Sequence, residues 1–338
     1  MTARPGPRNL ITDVAGIKVG HAHDAAARSG VSVILPPDRA VAAVDVRGGG
    51  PGTRETDALA ADTLVEAVDA IVLAGGSVYG LAAADAVTAW LGARGRGFGM
   101  SPKAGVPKAP IVPAAVLYDL ANGGDKTWGL EPPYRALGLA AISMASEDVA
   151  LGSVGAGAGA MAGALKGGVG SASIITDDGY SVGALAAVNS YGSVVAPGGR
   201  TFWAAPFEIG GEFGDQLGGD LRAHPDQWGL AKSDGALRAN TTLAVVALDA
   251  ALSPAEARRV AMMAHDGLAR AIRPVHAPFD GDVVFVLAAG ARSLAEPRPF
   301  HLTRLGALAA DCVARAVARG VYEARPWPGT DTPCWRDL

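Results

Sequence analysis

From residue 243 onward the chain alternates two periodicities, and that alternation restricts it to layered sheets and helices. Leu243–Leu248 is an apolar run of strand length. Ser253-Pro254-Ala255-Glu256 follows it, a capping box with proline at the first helical position. Behind that cap, Val260, Met263, Ala264, Leu268 and Ile272 repeat on one helical face. DGDVVFVLAAG predicts a second strand and LTRLGALAADCVARAVARG a second amphipathic helix. A strand–helix–strand–helix order calls for helices packed on a sheet.

The front of the chain reads in the same way. Gly16–Val19, Val31–Leu35, Ala40–Val46 and Ala70–Leu73 are short apolar runs bounded by glycine, proline or charge, as strands are. ETDALAADTLVEAV (55–68) has near-helical apolar spacing, and SVYGLAAADAVTAWLGARG predicts a helix ending near Gly95. PIVPAAVLYDL is strand-like inside a long loop over 99–130, and YRALGLAAISMAS is helical. After the small-residue stretch GSVGAGAGAMAGALKGGVGSASI come two more strand-like segments, SVGALAAVNSY and GSVVAP. Residues 198–236 are polar, glycine-rich and aperiodic, a length of loop that is usually functional. The proline-rich tail is expected to dock its tryptophans on the body. With 338 residues and 49% apolar composition, one large domain over 1–338 has enough material for its core.

Charge and motifs then exclude classes of function. The net charge is −4 and no lysine or arginine block exists, which sets nucleic acid aside. MTARPGPRNLITD has no apolar signal core, and no apolar stretch reaches spanning length, so a cytoplasmic protein without membrane contact is expected. Cys312 and Cys334 lack metal-type spacing. His21-Ala22-His23-Asp24 could pair two ligands on a strand face, but His224, His265, His276 and His301 supply no third. Gly157-x-Gly159 lacks the rest of a dinucleotide fingerprint. Arg47-Gly48-Gly49-Gly50-Pro51-Gly52-Thr53-Arg54 lacks the ending of a phosphate loop and reads as a tight turn. No metal and no cofactor are expected.

Asn240-Thr241-Thr242 sits where a polar segment meets a strand. A turn would use these residues. So would a threonine nucleophile whose own α-amine, with a pKa near ~8 once freed, serves as its base. Freeing that amine requires Thr241 Oγ1 to attack the Asn240 carbonyl, an N-to-O shift followed by hydrolysis. Asp280 and Asp282 share one face if they begin a strand. So close, they repel, and one stays protonated or finds a cation. Lys166 is the only charge between Asp148 and Asp177. It reads either as a buried cation or as a solvated helix-end lysine with Gly167 as cap. Asn189 interrupts an apolar run and needs partners for its amide. Tyr118 ends another such run, where its hydroxyl could reach an oxyanion.

In order, "VRGGGPGTRETDAL", "VLAGGSVYGL", "KGGVGSAS", "NTTLAVVALDA" and "DGDVVF" resemble the self-processing peptidases and amidases that include DmpA, the β-aminopeptidases and the nylon-oligomer hydrolases. The resemblance runs from "ITDVAGIKVGHA" to "LGALAADCVARAV". It implies a four-layer αββα sandwich akin to N-terminal-nucleophile hydrolases. It also implies self-cleavage into a 1–240 large chain and a 241–338 small chain. Thr241 matches the nucleophile, Asp280 and Asp282 the acidic pair, Lys166 a site lysine that balances their charge, and Asn189 and Tyr118 groups near the oxyanion. The flanks of Lys166 differ from the nylon-oligomer pattern. Family members are often tetramers of the processed pair, so a homo-oligomer acting on a small peptide or amide is implied. Two other readings stand beside this one. One is acyl transfer of the ornithine-acetyltransferase type, which shares the self-cleaving threonine. The other is a non-enzymatic α/β protein that binds a small molecule at RGGGPGTRE.

Overall fold

The computed structural model describes residues 3–216, 218–219, 221–223, 225–232 and 240–338. In it the early apolar runs become β1 (Lys18–Asp24), β2 (Ser29–Leu35), β3 (Ala40–Val46), β4 (Gly52–Arg54), β5 (Ala67–Val68) and β6 (Ile71–Ala74). Helix α1 (Ala83–Gly92), strand β7 (Ala114–Val116) and helix α2 (Tyr134–Ser143) follow. The small-residue stretch folds as the hairpin β8 (Met161–Ala162) and β9 (Leu165–Lys166), then β10 (Val169–Ile175) and β11 (Ser181–Asn189). Beyond the Asn240–Thr241 junction come β12 (Thr241–Ala251), α3 (Pro254–Ala271), β13 (Val283–Ser293) and α4 (Arg298–Tyr322).

Beside the two-stranded β8–β9 hairpin, two larger sheets form, ordered β1-β2-β6-β7-β4 and β10-β11-β12-β13-β3-β5. The strand period of two decides what each face meets. In β12, Leu243, Val245 and Ala247 point between the sheets, toward Ile34, Leu73 and Leu117. Ala244, Val246 and Leu248 point the other way, toward Val260 and Leu268 of α3 and Val313 of α4. On the outside of the first sheet, Val31, Val33 and Val72 pack against Val87 of α1 and Ile142 of α2. The layers are therefore helix, sheet, sheet, helix, the expected αββα sandwich. Glycine is needed where layers touch most closely: a Cβ on Gly170 would lie 1.9 Å from the Ala316 carbonyl of α4. At the start of α3, Ser253 Oγ accepts from Glu256 N–H while the Glu256 carboxylate accepts from Ser253 N–H.

Two local expectations fail. Residues 55–68 form no α-helix; they make a single 3-10 turn, Asp57–Leu59, and then β5. Thr63 Oγ1 donates to the carbonyls of Ala58 and Ala60, and the Glu55 carboxylate accepts from Val112 N–H. Side chains that capture nearby backbone groups in this way compete with helix, and β3 draws Ala67–Val68 onto the sheet edge. GSVVAP is no strand either, only isolated bridges from Ser193 to Arg273 and from Val195 to Phe202. There Ser193 Oγ turns back onto Val195.

The tail does dock. Trp335 stacks on Phe202 at 5.3 Å and donates from Nε1 to the Arg200 carbonyl, while Trp327 Nε1 donates to the Ala158 carbonyl. Both cysteines are free and buried. Among the described residues no helix is long and apolar enough to cross a membrane. Part of the 198–236 loop, at 217, 220, 224 and 233–236, lies outside the described residues, as does His224.

Candidate active site

The same period of two puts Thr241 in line with Leu243 on the face between the sheets, and Asn189 in line with Leu185 and Ala187. The antiparallel register pairs Asn189 with Thr241 directly. Tyr118 follows Leu117 at the end of β7 in the facing sheet, and Asn189 Nδ2 donates to its carbonyl at 3.0 Å. Asn189 Oδ1 accepts from Met161 N–H at 2.8 Å. The buried amide thus ties the ends of the two sheets to the β8–β9 hairpin.

Thr241 is 3% exposed, and its hydroxyl donates to the Asn240 carbonyl. The same carbonyl accepts from Gly281 N–H at 3.0 Å, because a parallel bridge between Asn240 and Asp280 extends the β12–β13 ladder past its last regular pair. The glycine of the Asp-Gly-Asp motif has a steric cause: a Cβ on Gly281 would stand 2.5 Å from Thr241 Oγ1.

Strand β13 starts at Val283, so Asp280 and Asp282 lie in the turn before it, not on the strand. The Gly48–Gly50 loop occupies the space alongside, and its backbone shapes this turn. Asp282 Oδ1 accepts from Thr242 N–H at 2.7 Å, and Oδ2 accepts from His276 N–H and contacts His276 Nδ1 at 2.8 Å. His276 takes φ +56° to present both groups, a conformation that costs a non-glycine residue energy. Asp280 Oδ2 accepts from Ala277 N–H at 2.8 Å. Burial, and then the charge of Asp282, push the Asp280 carboxyl up to about 6, against the pull of the Ala277 and Tyr191 N–H groups and Lys232. Gly50 N–H donates to the Asp280 carbonyl, and Arg47 N–H to that of Asp282, at 2.8 and 3.0 Å. A Cβ on Gly48 would lie 2.3 Å from the Asp280 carbonyl. The glycine-rich motif is thus the tight turn expected of it, and it braces the acidic turn.

Lys166 is fully buried, which rules out the solvated helix-end reading. Its ammonium does not meet the acidic pair, which corrects its expected charge-balancing role. It donates to the carbonyls of Gly157, Ala160 and Gly167 at 3.1, 3.0 and 2.7 Å. Burial lowers its pKa to about 7, with Cys334 and Asp119 pulling upward. The cation beside the acids is Lys232, which sequence reasoning missed. Its Nζ donates to Asn240 Oδ1 at 2.8 Å. Burial lowers its pKa to about 7 and Asp280 raises it. Lys232 is the only lysine after Lys166, but it sits in an aperiodic polar segment where no strand or helix period gives it a face.

Thr241 and Asn240 open on a cleft of about 430 Å³ lined also by Thr53, Ser77, Leu81 and Tyr118. A smaller cavity of about 120 Å³ adjoins it through Tyr118 and holds Asn189 and Lys232. His21 Nδ1 pairs with Ser32 Oγ at 2.8 Å, and burial, then His23, lowers its pKa to about 4. Among the described residues no group of three His, Cys, Asp or Glu side chains could hold a metal ion.

An αββα sandwich with a buried hydroxyl at the head of a central strand, facing a cleft beside paired carboxylates, defines a hydrolase of peptide or amide bonds with N-terminal-nucleophile architecture. The model of peptidase family S58 matches residues 9–334, and the chain belongs to that family, which includes DmpA and the nylon-oligomer hydrolases. An uncharacterized aminopeptidase of Mycobacterium tuberculosis is 49% identical over 98% of this chain and 98% of its own length. The 6-aminohexanoate-oligomer endohydrolase of Paenarthrobacter ureafaciens is 30% identical over 83% of this chain and 75% of its own. Among solved structures, a Burkholderia β-aminopeptidase superposes with a TM-score of 0.70 at 24% identity, covering 96% of this chain and 89% of that one. The L-aminopeptidase D-Ala-esterase/amidase of Ochrobactrum anthropi, a variant of the N-terminal-nucleophile hydrolase fold, gives 0.69 at 21% identity over 98% and 91%. These two likenesses speak to the fold.

Proposed function

We propose that the chain is a self-processing amide hydrolase whose nucleophile is Thr241, released as an N-terminus by cleavage after Asn240. One observation carries this reading: the Asn240 carbonyl receives both the Thr241 hydroxyl and the Gly281 N–H at the head of a buried strand. In the first stage Thr241 Oγ1 adds to the Asn240 carbonyl carbon. Gly281 N–H donates to the oxygen as charge builds there, the role of an oxyanion donor. The C–N bond then breaks, the proton passes to the Thr241 nitrogen, and an ester remains. Water hydrolyses it into residues 1–240, ending in a carboxylate, and residues 241–338, beginning with an amine.

In the mature enzyme that amine takes the Oγ1 proton as Oγ1 attacks a substrate amide, and passes it to the leaving amine. Water releases the acyl group from Thr241. Both oxygens of Asp282 are engaged by Thr242 and His276, while Asp280 Oδ1 has no hydrogen-bond partner among the described residues, so Asp280 is the carboxylate placed to orient the new amine. Asn189 and Tyr118 border the acyl oxygen. Lys166 supports the hairpin behind Asn189. The cleft admits a short peptide or linear amide, the kind of substrate named for the relatives. Intact mass and N-terminal sequencing of the purified protein test this: two polypeptides are expected, the smaller starting at Thr241. A single uncut chain that hydrolyses amides would overturn it.

A further inference from the structure

Lys232 links the residue before the junction to the acid behind it. Its ammonium grips the Asn240 amide oxygen at 2.8 Å. Its own N–H donates to the Tyr191 carbonyl at 3.0 Å. Tyr191 in turn packs edge-on against Phe279, the neighbour of Asp280, with ring centroids 4.7 Å apart. The lysine is therefore anchored to the framework that carries the acidic turn, and from that anchor it reaches the side chain of Asn240.

We propose that Lys232 is a positioning residue for self-scission, holding the Asn240 side chain so that its carbonyl stays between Thr241 Oγ1 and Gly281 N–H. This rests on scission before Thr241 and adds to it a reason for asparagine at the preceding position. The carboxamide oxygen is the acceptor, and a residue without one loses this contact to the ammonium. Burial lowers the ammonium's pKa to about 7, so a good part of the population carries the proton near neutrality. The titratable and charged groups around it are Asp280, then Asp282 beside Asp280, His276 on Asp282, and Asp119, which lines the same small cavity.

The test follows scission of the full-length precursor by intact mass over time. Lys232→Met should slow it about 10- to 100-fold, the usual weight of one charge-assisted hydrogen bond. Lys232→Arg, which keeps a donor and a charge, should recover most of the rate, a rescue that a purely structural packing role would not give. Asn240→Ala should slow scission comparably. Lys232→Met added to Asn240→Ala should then cost little more, because both remove the same contact. Thermal unfolding of each variant separates slow scission from failure to fold. Scission of Lys232→Met at the wild-type rate, or additive losses in the double variant, would overturn the inference. Failure of the underlying reading looks different, because Thr241→Ala would then still be cut.

Discussion

The chain is built in two different ways on the two sides of the Asn240–Thr241 junction. After it, β12, α3, β13 and α4 are long, and each strand begins buried on both faces. Before it, six of the eleven strands among the described residues have four residues or fewer. Such strands have short ladders, and their neighbourhoods are fixed by glycine contacts, turns and side-chain bonds to backbone. The difference separates two tasks. The regular side carries Thr241 and the acid pair on one strand–helix–strand unit, held in register by the Asn240–Asp280 bridge. The irregular side brings in what must converge from many places: Tyr118, Asn189, the Gly48–Gly50 turn, Lys166 and Lys232. Neither side holds a whole site.

The largest effect should come at the junction itself. Thr241→Ala should leave the chain at full length and lower amide hydrolysis by at least about a thousandfold, as loss of a nucleophile does. Mass and turnover measured on one sample check both. Next, if the two sides share one sheet, the cut pieces should co-migrate in gel filtration and separate only in denaturant. Pieces that separate in native buffer would break the comparison.

On the regular side, the Asp280 carboxyl sits near 6 in the fold against 3.8 when free. Hydrolysis should therefore fall as pH drops through about 6 and the carboxylate takes up a proton. Asp280→Asn should lose most activity together with that acid limb. It should also raise the melting temperature above pH 6, where the ionised acid burdens the fold. A pH–rate profile and melting curves on both proteins decide this.

On the irregular side, Lys166 has a folded pKa of about 7 against 10.5 when free. Between those values the unfolded chain binds more protons, so stability should rise with pH. Lys166→Met should lack that rise in denaturant melts between pH 7 and 10. Ser253→Ala should do least. It removes the α3 cap at a cost of about 1 kcal/mol in stability, with scission unchanged.

The same division governs what could be read from the residues alone. Beyond the junction the periods were clean, and α3, α4 and both strands fell where Ser253-Pro254 and the apolar alternation put them. Before it, the period of 55–68 suggested a helix, but Thr63 and Glu55 spend their side chains on backbone and the chain turns instead. Within the site, the structure places Asn240, Thr241, Asn189 and the acidic turn near one another, and Tyr118 meets Asn189 through its carbonyl. The two lysines were harder. Lys166 was visible because it is alone in a stretch of glycine and alanine, which signals burial but not the partner. Lys232 stands out only as the last lysine of the chain; its contact across eight positions to Asn240 is something no period encodes.

The order of the larger sheet also bears on when the backbone can be severed. Strands β12 and β13 are inserted side by side between β11 and β3. A polypeptide ending at residue 240, made on its own, would present two raw edges with a two-strand gap between them, an invitation to pair with the wrong neighbour. Assembly as one molecule fills the gap, so the scission proposed for Asn240–Thr241 would have to come after folding.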